Sequence, residues 1–451
     1  MLFSNETMTR GEHEKMHGAK TRTIIRNVLI MTMKEGDRPF RGDIVLEGSR
    51  IASVGPSVTS QHPGDEIISG EGMAAMPGLI NAHQHSPMTL LRAFSDDLKL
   101  MDWLERKMFP AEARMTEEDI YWGAQLAMAE MIRSGTTAFA DMYIHMEQIA
   151  TAVAETGMRA SLARGLALAE DDGGKRLAEG WDLIERWSGQ ANGRITTMLG
   201  PHSPYLCPPE PLKELIGEAG RKRIPIHIHL AETVEETAII RERYGKTPTE
   251  YLHDLGLFDE AHVLLAHAVH LSASDIRLLR GMRGGAAHNP VSNAKLGCGI
   301  APVAALMEQG VAVGIGTDGA GSATTLDMFA EIRAAAWLQK LAAQDPTALP
   351  AGRALRMATA GSARLLGIDS EVGTLEAGKK ADLLLIDLRQ PHLQPLHDPE
   401  AVIAYAAAGG DVDSVFVDGV PLMRSRRLLT IDEEKLLAEA AVRAARIVEG
   451  V

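Results

Sequence analysis

A chain of 451 residues with 45% apolar and 24% charged side chains is globular material, not disordered, collagen-like or coiled-coil. The 60 acidic against 46 basic residues, a formal charge of −14, and 4% aromatics argue against a nucleic-acid partner, which needs cationic and stacking surfaces. Cys207 and Cys298 are too few for a disulfide framework or a four-cysteine zinc site, and they point to a reducing cytoplasm.

Residues 1–21 are polar and mixed in charge. They lack the basic end and apolar run of a signal peptide and read as a flexible N-terminal tail. No apolar run reaches the roughly 18 residues of a spanning helix, so no membrane partner is expected. Residues 22–75 alternate strand-like runs with Gly-, Pro- and Asp-rich turns, which predicts hairpins. The same character returns at 373–388 and 411–423. Residues 22–75 plus 370–430 are therefore expected to form one small β-sandwich domain from both chain ends. Between them, eight apolar runs alternate with helical patterns: 74–83, 136–143, 159–166, 194–200, 224–230, 262–269, 284–288 and 311–318. Thr116 and Asp119 read as a capping box, with the helix stopping at Ser134-Gly135. Prolines open the helix at 208–220, and Ser272 with Asp275 starts another. Eight such units predict an α/β fold, a (β/α)8 barrel over 76–369. Apolar spacing makes 431–451 an amphipathic C-terminal helix.

Barrels carry their chemistry at the C-terminal strand ends. Here the first strand ends in His83-Gln84-His85, and His202 follows the fourth. The fifth holds His227 and His229, with Glu232 three residues on. His267 and His270 end the sixth, His288 the seventh and Asp318 the eighth. Alternate strand residues share a face, so His83 and His85 can grip one ion, and His227 and His229 could too. Each residue has an ordinary explanation alone: Asp318 could cap a helix, and His267 could be a core histidine. Together they converge on one mouth. Histidine nitrogens with a carboxylate suit Zn(II), Fe(II) or a similar ion, with one position left open for water.

The stretches PGLINAHQHSPMTLLR (77–92), HIHLAET (227–233), AHNPVSNAKLG (287–297) and GIGTDGAGS (314–322) resemble the amidohydrolase superfamily, and within it the 5′-methylthioadenosine/S-adenosylhomocysteine deaminases. The resemblance runs from about residue 22 onward, with the motifs in family order. It implies one divalent metal ion, zinc first and iron(II) or manganese(II) also compatible, held by His83, His85, His229 and Asp318. Glu232 matches the proton shuttle. His267 matches the histidine that steadies the attacking oxygen, and Asp318 also takes a proton. Trp103 matches an aromatic wall of the nucleoside pocket, Glu112 the acid on the ribose hydroxyls and His202 another nucleoside contact. Arg164 and Arg176 match arginines at the far, carboxylate-bearing end. Ala82 and Gln84 depart from the family, which more often has Thr at both places.

The implied reaction converts the 6-amino group of an adenosine-type nucleoside (S-adenosylhomocysteine, 5′-methylthioadenosine or adenosine) to an inosine-type product and ammonia. Aminohydrolases of guanine, s-triazines or pyrimidines share the frame, but such substrates would leave Glu112 without a ribose. A binuclear ring-amide hydrolase would need a lysine where the fourth strand ends in Gly200 and His202. A cytidine-deaminase type would need Pro-Cys-x-x-Cys, which is absent. A non-catalytic scaffold on the same barrel would lack the ligand set. The expected partner is a small-molecule substrate, with association into a homo-oligomer, as barrels of this size often show.

Overall fold

The computed structural model describes residues 22–57, 64–169 and 172–451. The expected tail of residues 1–21 lies outside them. Five strands come first: β1 (Arg22–Ile30), β2 (Phe40–Glu47), β3 (Arg50–Gly55), β4 (Glu66–Ser69) and β5 (Met73–Pro77). The next eight are β6 (Leu79–Gln84), β7 (Thr136–Tyr143), β8 (Arg159–Leu166), β9 (Ile195–Pro201), β10 (Ile226–Leu230), β11 (His262–His267), β12 (Arg283–His288) and β13 (Ala312–Ile315). The last four are β14 (Leu383–Asp387), β15 (Val412–Val417), β16 (Val420–Arg424) and β17 (Arg427–Leu428).

Strands β6 to β13 pair in sequence order, all parallel, with helices between them. Beyond β13, Thr317 N–H donates to Asn81 Oδ1 (3.0 Å) and Asp318 N–H to the His83 carbonyl (2.9 Å), which draws the last strand to the first and completes the barrel. Strands β7 and β10 are buried along their whole length, as parallel strands covered on both faces must be. The Thr116–Asp119 and Ser272–Asp275 capping boxes are both formed.

Most expected strand ends fall within two residues of the observed ones, and two expected strands differ more in extent. The run at 311–318 keeps ladder bonds only over β13, because Gly316–Asp318 turn to meet β6. The run at 74–83 divides at Gly78. On one side β5 pairs antiparallel with β14, and on the other β6 opens the barrel. A Cβ at Gly78 would stand 2.1 Å from Thr137 Oγ1, so only glycine lets the chain cross there against β7. Both halves are apolar and buried, which hides the division from hydrophobic patterning.

The other sheet runs β17-β16-β15-β14-β5-β1-β2-β3, with β4 on β1, and so joins both chain ends. Ile51 N–H donates to the Lys379 carbonyl (2.9 Å), and Arg50 bridges to Lys380. These contacts curl β3 back toward β14 around Ile25, Ile30, Ile44, Leu383, Leu385 and Phe416. The helix Glu433–Val448 lies along Glu117–Arg133, tied by Arg443 to Asp119 (3.2 Å) and by Arg133 to Glu433 (2.7 Å). Among the described residues no helix is long and apolar enough to cross a membrane.

One ion cluster fastens sheet to barrel. Arg159, 5% exposed at the start of β8, donates to Asp382 (2.8 and 3.2 Å) and to Asp418 (2.8 Å). Removing one partner of a buried pair leaves a charge poorly compensated. Asp382→Asn is therefore expected to lower unfolding free energy by about 3 kcal/mol, read from urea denaturation. A loss inside the scatter of surface substitutions, about 0.5 kcal/mol, would remove the cluster from the list of major stabilisers.

Candidate active site

The C-terminal ends of β6, β10, β11 and β13 bring six ionisable side chains together. His85 lies one residue beyond β6, and its ring folds back to 4.8 Å from that of His83, edge to face. Its Nδ1 meets the Met142 carbonyl (2.6 Å), and His229 Nδ1 meets the His202 carbonyl (2.7 Å). A carbonyl only accepts, so both rings carry a proton on Nδ1 and turn Nε2 inward. His83 is fully buried, and its Nε2 has no hydrogen-bond partner among the described residues. That nitrogen lies 3.5 Å from Asp318 Oδ1, and His85 Nε2 lies 3.3 Å from the same oxygen. Ligand atoms of His83, His85 and Asp318 fall within 4.8 Å of one another, as do those of His83, His229 and His267.

His227 does not join them. Two residues of strand rise put it a layer deeper than His229, with ring centroids 6.5 Å apart. Its Nε2 instead lies 2.8 Å from His83 Nδ1. The expectation that His227 and His229 could grip one ion together is thus corrected: His227 backs His83.

Electrostatics favour a cation here. Burial lowers His83 to about 3 and holds His229 well below its ordinary value, so both rings are neutral. Burial would also lower His85, but the hydrogen bond and charge of Asp318 outweigh it and raise His85 to about 9. The spot thus stabilises positive charge, which a divalent ion can supply in place of a proton. Burial opposes the charge on Asp318, yet the close approach of His83 and His85 holds its carboxyl well below the usual range. Ser292 (2.6 Å) and Ser322 (2.9 Å) donate to Oδ2, and Gly319 N–H (2.8 Å) to Oδ1. Buried imidazole nitrogens and one carboxylate, with an orphaned Nε2 among them, fit a borderline divalent ion.

Glu232 follows β10, and its Oε2 lies 3.8 Å from His267 Nε2. Burial pushes its carboxyl up, opposed by His267 and reinforced by Asp318. His267 Nδ1 is held by Asn293 Oδ1 (2.9 Å). Ala231 (φ +50°), His267 (φ +72°) and Asp318 (φ +66°) all occupy the left-handed region. Such strain gathers where a site over-determines the backbone.

These groups open into a cavity of about 450 Å3 that Trp103, Glu112, Arg164, Arg176 and His202 also line. Trp103 is nearly buried, its indole N–H donating to the Ser95 carbonyl (3.1 Å). Glu112 accepts from the Tyr143 hydroxyl; burial raises its carboxyl against that bond. Arg164 donates to Glu179 (2.7 Å) and to the Gly165 carbonyl (2.6 Å). Arg176 Nε stands 3.6 Å from Asp172. The His202 ring stacks on His229 at 4.5 Å, and burial lowers it to about 4. His270, by contrast, bonds the Cys298 carbonyl (2.7 Å), while buried His288 shows no hydrogen-bond partner among the described residues.

Sequence reasoning passed over Tyr143, Ser292, Ser322 and Asn293. Tyr143 carried a signal, being a polar residue at the C-terminal end of β7 like the others. Ser292 and Asn293 sat inside AHNPVSNAKLG without an assigned role.

Residues 74–422 match the amidohydrolase family. The chain belongs to the amidohydrolase family, and it is a hydrolase of carbon–nitrogen bonds. Among its relatives, the 5-methylthioadenosine/S-adenosylhomocysteine deaminase of Desulforudis audaxviator is 49% identical over 432 residues, 95% of this chain and 100% of that one. The 5′-deoxyadenosine deaminase of Methanosarcina acetivorans is 44% identical over 428 residues, 94% of this chain and 98% of that one. Among solved structures, a zinc-bound adenosine deaminase from Xanthomonas campestris superposes with a TM-score of 0.89 at 34% identity, covering 95% of this chain and 98% of that one. The zinc-complexed atrazine chlorohydrolase of Arthrobacter aurescens shares the frame at 26% identity, with a TM-score of 0.87 over 94% of this chain and 100% of that one.

Proposed function

We propose that the chain is a metal-dependent deaminase of adenosine-type nucleosides, with 5′-methylthioadenosine, S-adenosylhomocysteine and 5′-deoxyadenosine as the candidate substrates. One observation carries this reading: a single cavity unites convergent ligand atoms, a half-buried acid of raised pKa in Glu232, and a second half-buried acid in Glu112. His83, His85, His229 and Asp318 would hold a divalent ion, zinc first, whose chemistry there would be to make water nucleophilic near neutral pH.

The chain's own residues do the rest. Ionised Asp318 accepts a proton from the attacking water. Protonated Glu232 donates to ring nitrogen N1, so that charge does not build on the purine as C6 becomes tetrahedral. His267 steadies the developing negative charge on oxygen through Nε2. Asp318 then passes that proton to the amine, the C6–N bond breaks and ammonia leaves, and the C6 hydroxyl returns its proton to Glu232 as the carbonyl forms. Trp103 and His202 flank the base, Glu112 accepts from the ribose hydroxyls, and Arg164 and Arg176 meet a substrate carboxylate.

The test is an ultraviolet assay with S-adenosylhomocysteine, methylthioadenosine, 5′-deoxyadenosine, adenosine, adenine and guanine, on protein of measured metal content. Turnover of nucleosides but not free bases supports the reading, with about one zinc per chain expected on the four-ligand count. Turnover of a free base alone, or of none, moves the substrate to s-triazines or other aminated heterocycles. Glu112→Gln removes a charged acceptor. A bond to a charged group contributes about 1.5–3 kcal/mol, so KM for nucleosides is expected to rise roughly ten- to a hundredfold. An unchanged KM would take the ribose contact away from Glu112.

A further inference from the structure

Among the described residues, three α-helices begin with a reciprocal capping box. Thr116, Thr247 and Ser272 each accept from the N–H three residues on, and Asp119, Glu250 and Asp275 each return a carboxylate to the cap's own N–H. The helix Val234–Tyr244, which follows Glu232, opens on the same pattern but closes it elsewhere. Thr233 accepts from Glu236 N–H (3.2 Å). The Glu236 carboxylate, however, reaches past the cap. Its Oε1 accepts from Ala231 N–H (2.9 Å) and its Oε2 from Glu232 N–H (3.0 Å). Glu236 is only 3% exposed. A carboxylate so placed is costly unless its bonds are made, and a return to Thr233 would have served the helix equally well.

What the diverted carboxylate holds is the turn that carries Glu232. Ala231 is a non-glycine residue at φ +50°, a conformation that persists only where its surroundings impose it. Its carbonyl accepts from Val269 N–H (3.1 Å) and His270 N–H (2.8 Å), in the segment just after His267. The turn is therefore gripped by Glu236 through its N–H groups and by the His267 loop through its carbonyl. We propose that Glu236 is a positioning residue for the proton-carrying Glu232: its carboxylate sets the 231–232 turn so that the Glu232 side chain faces His267 and the cavity. The proposal rests on the reading of Glu232 as proton carrier. Glu236 itself touches neither the reacting atoms nor the candidate ligands.

The test places Glu236→Gln in two backgrounds, wild type and Glu232→Gln. Glutamine keeps one acceptor and turns an NH2 toward the second N–H, so the turn relaxes. Misplacement of a reacting group by about 1 Å costs up to a hundredfold. In the wild-type background kcat is expected to fall roughly ten- to a hundredfold on that basis, with KM and metal content unchanged. In the Glu232→Gln background the further loss is expected to be less than about twofold, because residues acting as one unit are not additive. Glu236→Asp, whose shorter chain cannot span both N–H groups, carries the same comparison should the Gln protein fail to fold. An equal loss in both backgrounds would mean a general structural role and overturn the proposal. Wild-type kcat in Glu236→Gln, with Glu232→Gln crippled, overturns this proposal alone. Wild-type kcat in Glu232→Gln overturns both readings.

Discussion

Glu232→Gln is expected to keep its metal and lose about three orders of magnitude in kcat, within the range for removing a general acid. Glutamine has the same shape and can still face His267, but it cannot deliver a proton. Glu232 is not among the candidate ligands, so metal content measured by elemental analysis should match wild type. Burial and the nearby Asp318 charge push the Glu232 carboxyl up, so in the wild type its acid form persists to higher pH than that of an ordinary glutamate. The protonated form is the working one, so kcat/KM should fall as pH rises through that raised value. This alkaline limb should be missing from the Gln protein. Full activity at normal metal content would remove Glu232 from the proton path.

Asp318→Asn is expected to lose both metal and turnover, by at least about a thousandfold in rate on the scale of removing a metal ligand or general base. Asp318 is the only carboxylate in the candidate ligand set, and it draws positive charge to His85. Ser292, Ser322 and the Gly319 N–H all donate to it. An amide offers one acceptor oxygen and turns an NH2 toward the remaining donors. The measurement is metal stoichiometry after dialysis, then rate after zinc is added back. A wild-type protein stripped by chelator should recover on readdition, and the Asn protein should not. Normal metal and normal rate in the Asn protein would refute the double role.

Much of this site was legible because barrel geometry forces it to be. Polar residues at the ends of apolar strands have one place to point, so His83, His85, His229, His267 and Asp318 could be gathered from spacing alone. Capping boxes are equally local: Thr116 and Asp119 are three residues apart and make their own case. What escaped depends on partners far off in sequence or on depth. His227 and His229 share a strand face, and only the layer spacing separates a candidate ligand from the residue behind another. Arg159 reaches Asp382 across 223 residues, a pairing no local pattern encodes. The division at Gly78 was hidden because burial is equally complete on both sides, and the deciding contact is Thr137, on the neighbouring strand. Glu236 is absent from the sequence-based assignments because its diversion to Ala231 and Glu232 is a matter of side-chain reach.

The pairing of β5 with β14 also sets an order of events during synthesis. Met76 lies opposite Leu384, so the entire barrel is made between the two halves of one sheet. At about 5–20 residues per second, β5 waits some tens of seconds on the ribosome before its neighbour exists. Through that interval β1 and β2 can pair, but one edge of β5 stays open, and an apolar open edge invites pairing with other chains. The nascent protein therefore spends the making of its catalytic half with an unfinished β edge at its start. A message cut short before Leu383 would release a chain with that edge permanently exposed, an aggregation-prone product.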